Sequence, residues 1–237
     1  QNGQLSTQDN RKFSQNKTKQ MKKTTLLSLV LFASLHMAAA QTLEKMTWFN
    51  EPEQWEISGN TLSLFVTPQS DYWRISHYGF TVDDAPFYYA TYGGEFEAKI
   101  RISGEYRERF DQAGLMLRID HENYIKAGIE FVDGKYNLST VVTHHTSDWS
   151  VITLEKAVPC IWIKAVRRLD AVEIFYSFDD KEYTLMRNAW LQDNTPVMVG
   201  PMAACPDGKG FRATFDHFQV KHLPDLRRLE WLRNNAE

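Results

Sequence analysis

An all-β, antiparallel β-sandwich is the fold class this sequence predicts, and three observations predict it. First, apolar residues recur with a period of two. Ala113, Leu115, Leu117 and Ile119 interleave with Gly114, Met116 and Arg118, and Ile125, Ala127, Ile129 and Phe131 interleave with Tyr124, Lys126, Gly128 and Glu130. Such a period places one set of side chains on a core and the other on the opposite face of a sheet. Second, Asp133-Gly134 stands between Val132 and Lys135; a two-residue hairpin turn favours this pair because both central positions take positive φ. Third, short alternating runs follow one another with turn residues between them, and no helical periodicity precedes the C-terminal tail.

In chain order, Gln1–Gln20 is polar and reads as an upstream, disordered extension. Residues 21–40 then carry Lys22-Lys23, the apolar run Leu26–Met37 and Ala38-Ala39-Ala40. A basic n-region, a short h-region and small residues before a cut form a secretory signal peptide, with cleavage expected near Ala40-Gln41. The apolar run is too short to persist as a bilayer-spanning helix. The expected destination is periplasmic or secreted, with no membrane attachment after cleavage. Residues 41–237 show no repeat and no linker, and are expected to form a single β-sandwich domain with a tail at 222–237. A formal net charge of −3 lacks the basic excess of a nucleic-acid binder. Cys160 lies in an apolar strand pattern and Cys205 in a loop with Pro and Gly. A disulfide is open to an exported chain, and two buried free thiols are the simpler reading.

Strands are expected at Thr61–Val66, Trp73–Phe80 and Glu95–Ser103, the last with Phe96, Ala98, Ile100 and Ile102 on one face. After the central meander, strands are expected at Ile161–Arg167, Val172–Phe178, Tyr183–Arg187, Val197–Met202 and Gly210–Val220, and a short surface-docked helix at Leu226–Arg233. The Asp133-Gly134 turn fixes a register: Ile129 opposite Leu138, Ala127 opposite Thr140 and Ile125 opposite Val142 on the core side. Glu130 then stands opposite Asn137, Gly128 opposite Ser139 and Lys126 opposite Val141 on the open side. If Ile119 pairs with Ile125, Arg118 lies opposite Lys126.

Several motifs in order carry a family likeness: Asp71-Tyr72-Trp73-Arg74 leading to His77-Tyr78-Gly79-Phe80, Asp111-Gln112-Ala113-Gly114-Leu115-Met116-Leu117-Arg118 with Lys126–Glu130, Leu138-Ser139 to Thr143, Ser147-Asp148-Trp149-Ser150, Gly200-Pro201-Met202-Ala203 and Gly210-Phe211 through Phe218. Over roughly Phe49–Lys221 the chain resembles the family of unknown function typified by the yeast regulation-of-enolase protein, with a concanavalin A-like lectin/glucanase fold. The resemblance implies a jelly-roll β-sandwich with a concave face. It brings no agreed activity, and export would separate this chain from a cytosolic enolase.

Candidate ligand-binding residues fall in two groups. On the open face of the meander stand Gln112, Met116, Arg118, Lys126, Glu130 and Ser139, where small residues flanked by charges suit a polar ligand. Trp73, Arg74, His77 and Tyr78, with Asp148 and a loop-borne Trp149, offer rings to stack on a sugar and polar groups beside them. The two cations point to a carbohydrate or other polar, acidic small ligand. Glu130 is the candidate catalytic residue, with Asp111 or Glu97 as its second acid. The Glu-x-Asp-x-x-Glu pattern of family-16 glucanases, G-x-S-x-G, H-E-x-x-H and C-x-x-C do not occur. No metal and no cofactor are expected. His144 and His145, on a strand, would face opposite ways, and Asp83-Asp84 and Asp179-Asp180 read as turn acids before calcium ligands. Binding without turnover is the leading expectation, with a glycoside hydrolase or lyase as the alternative.

Overall fold

The Asp133-Gly134 turn sets the register of a whole sheet. A computed structural model of the chain describes residues 43–235; the expected upstream extension and signal peptide lie outside the described residues. Asp133 and Gly134 both take positive φ, 51° and 77°. Glu130 stands opposite Asn137, Gly128 opposite Ser139, and Ile129 opposite Leu138.

The first strands are β1 (Thr47–Phe49), β2 (Gln54–Ser58), β3 (Thr61–Phe65), β4 (Tyr72–Arg74), β5 (Thr81–Asp83), β6 (Phe87–Tyr92) and β7 (Phe96–Gly104). The meander supplies β8 (Gln112–Arg118), β9 (Asn123–Val132), β10 (Lys135–His144) and β11 (Thr146–Thr153). Then come β12 (Ile161–Arg168), β13 (Ala171–Ser177), β14 (Thr184–Trp190), β15 (Val197–Ala204), β16 (Arg212–His222) and helix α1 (Leu226–Asn234). They form an antiparallel β-sandwich. One seven-stranded sheet has the order β1-β6-β15-β8-β9-β10-β11, the other the order β14-β13-β12-β7-β16-β3-β2, and β4-β5 make a separate ribbon.

Alternation builds the core. Leu62 and Leu64 of β3, Ile100 and Ile102 of β7, Ile125 and Ile129 of β9 and Phe215 of β16 are all buried in one cluster between the sheets. Each such side chain stabilises the fold by roughly 2 kcal/mol, so a one-residue slip, which would expose a whole row, is strongly disfavoured. A second, smaller cluster lies on the outer face of the first sheet, where Tyr72 of the ribbon meets Phe87, Met116, Tyr124 and Met202.

That ribbon corrects the expected Trp73–Phe80 strand. Only Tyr72–Arg74 is extended; the chain then turns tightly, with Ile75, His77 and Gly79 at φ of 64°, 63° and 76°, and returns as β5. Three left-handed residues in five end a strand. The ribbon crosses the outer face of the first sheet. Asp71 bonds Lys126 of β9, Asp83 bonds Arg118 of β8, and Arg74 N–H donates to Ser147 Oγ of β11. The open side of the meander is therefore largely covered, with Lys126 only 4% and Glu130 only 6% exposed.

The β8–β9 register also differs from the expected one. Arg118 stands opposite Tyr124 and Met116 opposite Lys126. Asp120 Oδ1 accepts from Glu122 N–H and from the Asn123 side chain. This Asx-type turn makes the connection Ile119–Glu122 and pulls the pairing two residues along. A two-residue shift preserves facing, so Arg118 and Lys126 share a face but are not directly opposed. Trp149, expected on a loop, lies on β11. The tail does form a helix, capped by Asp225; none of its residues is buried, and it touches the sandwich through Leu226 N–H on Glu95 and Arg227 on Asp193 at 2.6 Å. Cys160 is half-buried just before β12, Cys205 is buried, and both thiols are free.

Candidate functional site

Where the ribbon ends, the outer face of the first sheet opens into a cleft of about 280 Å³. Its floor follows from pairing. Gly114 of β8 stands opposite Gly128 of β9, and a Cβ on Gly128 would lie 2.0 Å from the Ala113 carbonyl oxygen. Only glycine fits there, and the missing side chains leave the depression between Lys126 and Glu130. Gln112 stands opposite Glu130 on the same face.

Two hydrogen-bonded groups occupy this floor. The Lys126 ammonium donates to Gln112 Oε1 at 2.7 Å and to Asp71 Oδ1 at 3.2 Å. Glu130 Oε2 accepts from Ser139 Oγ at 2.7 Å and from Trp149 Nε1 at 2.7 Å. Trp149 thus reaches from the edge strand across β10 to the centre of the sheet. Burial pushes the Glu130 carboxyl above the ordinary carboxylate range; the Lys126 charge and the Ser139 and Trp149 donors pull it down without cancelling that rise, and Asp71 adds to it.

Aromatic rings stand around the floor. Trp73 packs edge-on to Tyr78 with centroids 5.7 Å apart, and Tyr78 stacks on Phe80 at 5.5 Å. Tyr78 and Phe80 are 46% and 45% exposed. On the far side Phe110 meets Trp149 edge-on at 6.3 Å; Phe110 N–H donates to the Phe131 carbonyl, which sets this ring beside Glu130. Pro206 and Asp207, just past β15, complete the wall.

Of the residues singled out from sequence, Trp73, Tyr78, Gln112, Lys126, Glu130 and Trp149 line this cleft, and Ser139 lies at its base. Five others go elsewhere. Arg118 is 3% exposed under the ribbon, where it makes a bidentate pair with Asp83 at 2.6 and 2.7 Å and lies over the Phe49 ring. Met116 is buried in the outer apolar cluster. Arg74 turns to Glu122 and to the His145 carbonyl. His77 sits in the ribbon turn against Tyr78. Asp148, on the opposite side of β11 from Trp149, reaches Arg187 of the second sheet at 2.6 Å.

Neither expected second acid meets Glu130. Asp111 is fully buried and accepts from the Arg107 and Glu108 amides, and Glu97 lies on β7 in the other sheet. The carboxylate that shares the cleft floor is Asp71, which stood in a motif without being assigned to a site; Asp207 lies in the wall. Phe80 and Phe110 were missed as well. Phe80 closed a motif and Phe110 stood beside one; their placement depends on backbone turns at Ile75–Gly79 and at Phe110, whose φ is 68°.

The remaining candidates are structural. His145 takes φ 60° in the turn after β10, so its ring does not oppose that of His144; the centroids are 4.7 Å apart. Their Nδ1 atoms bond Glu122 and Asn123. Asp84 accepts from the Asp71 amide, and Asp180 pairs with Lys99. Among the described residues no three His, Cys, Asp or Glu side chains gather as metal ligands, and no helix is long and apolar enough to cross a membrane.

Residues 48–223 match the family described as "Protein of unknown function (DUF1349)". The chain belongs to this family. It is 34% identical over 189 residues to Regulation of enolase protein 1 of Saccharomyces cerevisiae, covering 78% of this chain and 96% of that protein. The crystal structure of a functionally unknown protein from Saccharomyces cerevisiae superposes with a TM-score of 0.75 at 33% identity, over 78% of this chain and all of that one. A Bacteroides ovatus protein, "Xyloglucan PUL GH43B", gives a TM-score of 0.60 at 17% identity. That match spans 76% of this chain and 37% of the other, and it shares the fold alone. The family is thus one of unknown function, and this chain's sandwich is similar in fold to part of that protein.

Proposed function

We propose that this protein is an exported module that binds carbohydrate in the Glu130 cleft without turning it over. The observation that carries this reading is the arrangement of rings around an acceptor-rich floor. Tyr78 and Phe80 stand exposed on one wall and Trp149 and Phe110 on the other, above Asp71, Gln112 and Glu130. Ring faces pack on the C–H faces of a pyranose, and carboxylate and amide oxygens accept its hydroxyls. Few precisely placed polar groups in an otherwise apolar concavity is the general form of a small-ligand site.

Export rests on the residues 21–40 pattern. Mass spectrometry of the protein recovered from its producing cells tests it: a mature N-terminus near Gln41 supports export, and an N-terminus still carrying Met21–Ala40 sinks it.

One observation favours a second reading, a glycan-active hydrolase or lyase. The Glu130 carboxyl is held above its ordinary range, which suits a general acid. Its partner would be Asp71, whose Oδ1 is paired with Lys126. That pairing weakens Asp71 as a base or nucleophile, so binding is the first reading. A glycan array followed by product analysis on each captured glycan separates the two. Capture without product, lost in Tyr78→Ala, supports the module. Cleavage that disappears in Glu130→Gln while capture persists supports the enzyme. An array without any captured glycan defeats both.

A further inference from the structure

We propose that the cleft takes the end of an uncharged saccharide, one or two rings, and not the middle of a long chain; this rests on the carbohydrate reading of the same cleft. Two independent features carry it, the walls and the hydrogen-bonding inventory of the floor.

The walls stand across the directions a threaded chain would take. Along β9 the floor runs from Lys126 to Glu130, about 13 Å at the usual strand rise. At the Lys126 end stands the ribbon, with Asp71 bonded to Lys126 and the Trp73–Tyr78 pair above it. At the Glu130 end stands Phe110, fixed by its amide to the Phe131 carbonyl. Across the strands, the Trp149 indole lies over Ser139 and ends on Glu130, which shuts the β11 side. A volume of about 280 Å³ lies at the lower edge of the roughly 300–1,000 Å³ range of small-molecule pockets. A ring or two fills such a space. An extended polymer would need an exit where Phe110 or the ribbon now stands.

The floor selects against charge. Lys126 is held between Asp71 and Gln112, and Arg118 is sealed under the ribbon on Asp83, so neither cation is free for a uronate. Arg109, at the rim, lies over Phe110 and toward Asp133. What the floor offers is acceptors. The described donors reach Oδ1 of Asp71 and Oε2 of Glu130, and the second oxygen of each carboxylate takes no hydrogen bond from the described residues. Sugar hydroxyls satisfy such oxygens, and an anionic ligand meets the Asp71 carboxylate as a like charge.

Isothermal titration of the wild-type protein tests the proposal with three neutral series (xylose, xylobiose and xylohexaose; glucose, cellobiose and cellohexaose; galactose and its β-1,4-linked di- and hexasaccharide) and with galacturonate and glucosamine. The expected result is binding in at least one neutral series, with the hexasaccharide within about threefold of the disaccharide and galacturonate at least about tenfold weaker than galactose. In the binding series Tyr78→Ala should lose at least about tenfold, and Phe178→Ala, a change on the distant β13–β14 turn, should lose nothing. A rise of more than about tenfold from disaccharide to hexasaccharide describes an open groove and overturns end recognition. Tighter binding of galacturonate or glucosamine than of galactose or glucose overturns the uncharged class. Both of those outcomes leave the carbohydrate reading standing, whereas silence from every sugar at millimolar concentration overturns that reading and this inference together.

Discussion

Gln112 and Glu130 face each other directly across β8 and β9, yet their side chains turn to different partners. Gln112 accepts from Lys126 at 2.7 Å, while Glu130 accepts from Ser139 and Trp149. The cleft floor is therefore two hydrogen-bonded groups side by side, one with its positive charge matched by Asp71 and one with a buried carboxyl that no cation touches.

The first prediction concerns that carboxyl and pH. Its folded value is raised, chiefly by burial, so the protonated form favours the fold. The stability this contributes is full below the ordinary carboxylate range and is lost as pH rises through the raised value. Glu130→Gln removes the titration. Urea unfolding of wild type and variant should show the wild type losing ground to the variant as pH rises above the ordinary carboxylate range and through the raised Glu130 value. A constant difference over that interval, or a gain for the wild type, would show that Glu130 does not titrate as its burial demands.

Arg118 supplies the second. It is buried, bidentate to Asp83, and lies over the rings of Phe49, Tyr72 and Tyr124. Arg118→Ala should destabilise the protein by about 3–5 kcal/mol, the range for removing one partner of a buried pair. Arg118→Lys should restore only part of this, because an ammonium cannot make the two parallel bonds. Chemical denaturation reads both, and a loss below about 1 kcal/mol would mean that the ribbon is not anchored by this pair.

How much of this was legible beforehand differs between the two faces of one sheet. The core face was, because alternation and the Asp133-Gly134 turn fix which residues point inward, and Ile125, Ile129 and Leu138 are buried as the pattern requires. The outer face was legible only as a list of residue types. Whether Arg118 or Lys126 reaches a ligand depends on where the ribbon crosses, and the ribbon depends on left-handed turns at Ile75 and His77. No periodicity marks such turns, and neither residue is a glycine. The same holds for Asp71, whose role comes from a contact with Lys126 fifty-five positions away. Long-range placement, not local pattern, separated Glu130 and Trp149 from Arg74, His77, Met116, Arg118 and Asp148.

The third prediction tests the glycine floor. A Cβ on Gly114 would meet the Ala127 carbonyl oxygen at 2.3 Å, and one on Gly128 would meet that of Ala113 at 2.0 Å. Both obstacles are backbone, so relief requires the two strands to part. Each alanine substitution should cost about 2–3 kcal/mol, the upper part of the range for overpacking, or a fall in Tm of roughly 4–12 °C for a domain of this size. Gly134→Ala is the comparison: nothing lies within 4 Å of its Cβ, so only its φ of 77° is penalised. If Gly128→Ala melts with Gly134→Ala or above it, the strands are not held at the distance described.

Trp149 carries the fourth prediction, because its ring and its N–H do separable work. The N–H donates to Glu130 Oε2 at 2.7 Å and to Ser139 Oγ at 3.1 Å, and the ring forms one wall of the cleft with Phe110. Trp149→Phe keeps an aromatic surface and deletes the donor. Since that donor lowers the carboxyl, its loss should move Glu130 further up, a direction that carbon-detected NMR titration of the Glu130 carboxyl reads. Trp149→Ala removes donor and surface together. For whichever sugar the cleft binds, Trp149→Phe should weaken affinity by a few-fold and Trp149→Ala by about tenfold or more, since an aromatic face contributes roughly 0.5–1.5 kcal/mol beyond the area it buries. Equal affinity in Trp149→Ala and wild type would remove the β11 wall from the site. A Glu130 carboxyl that shifts downward in Trp149→Phe would mean that the indole acts on it by excluding water, not by donating a hydrogen bond.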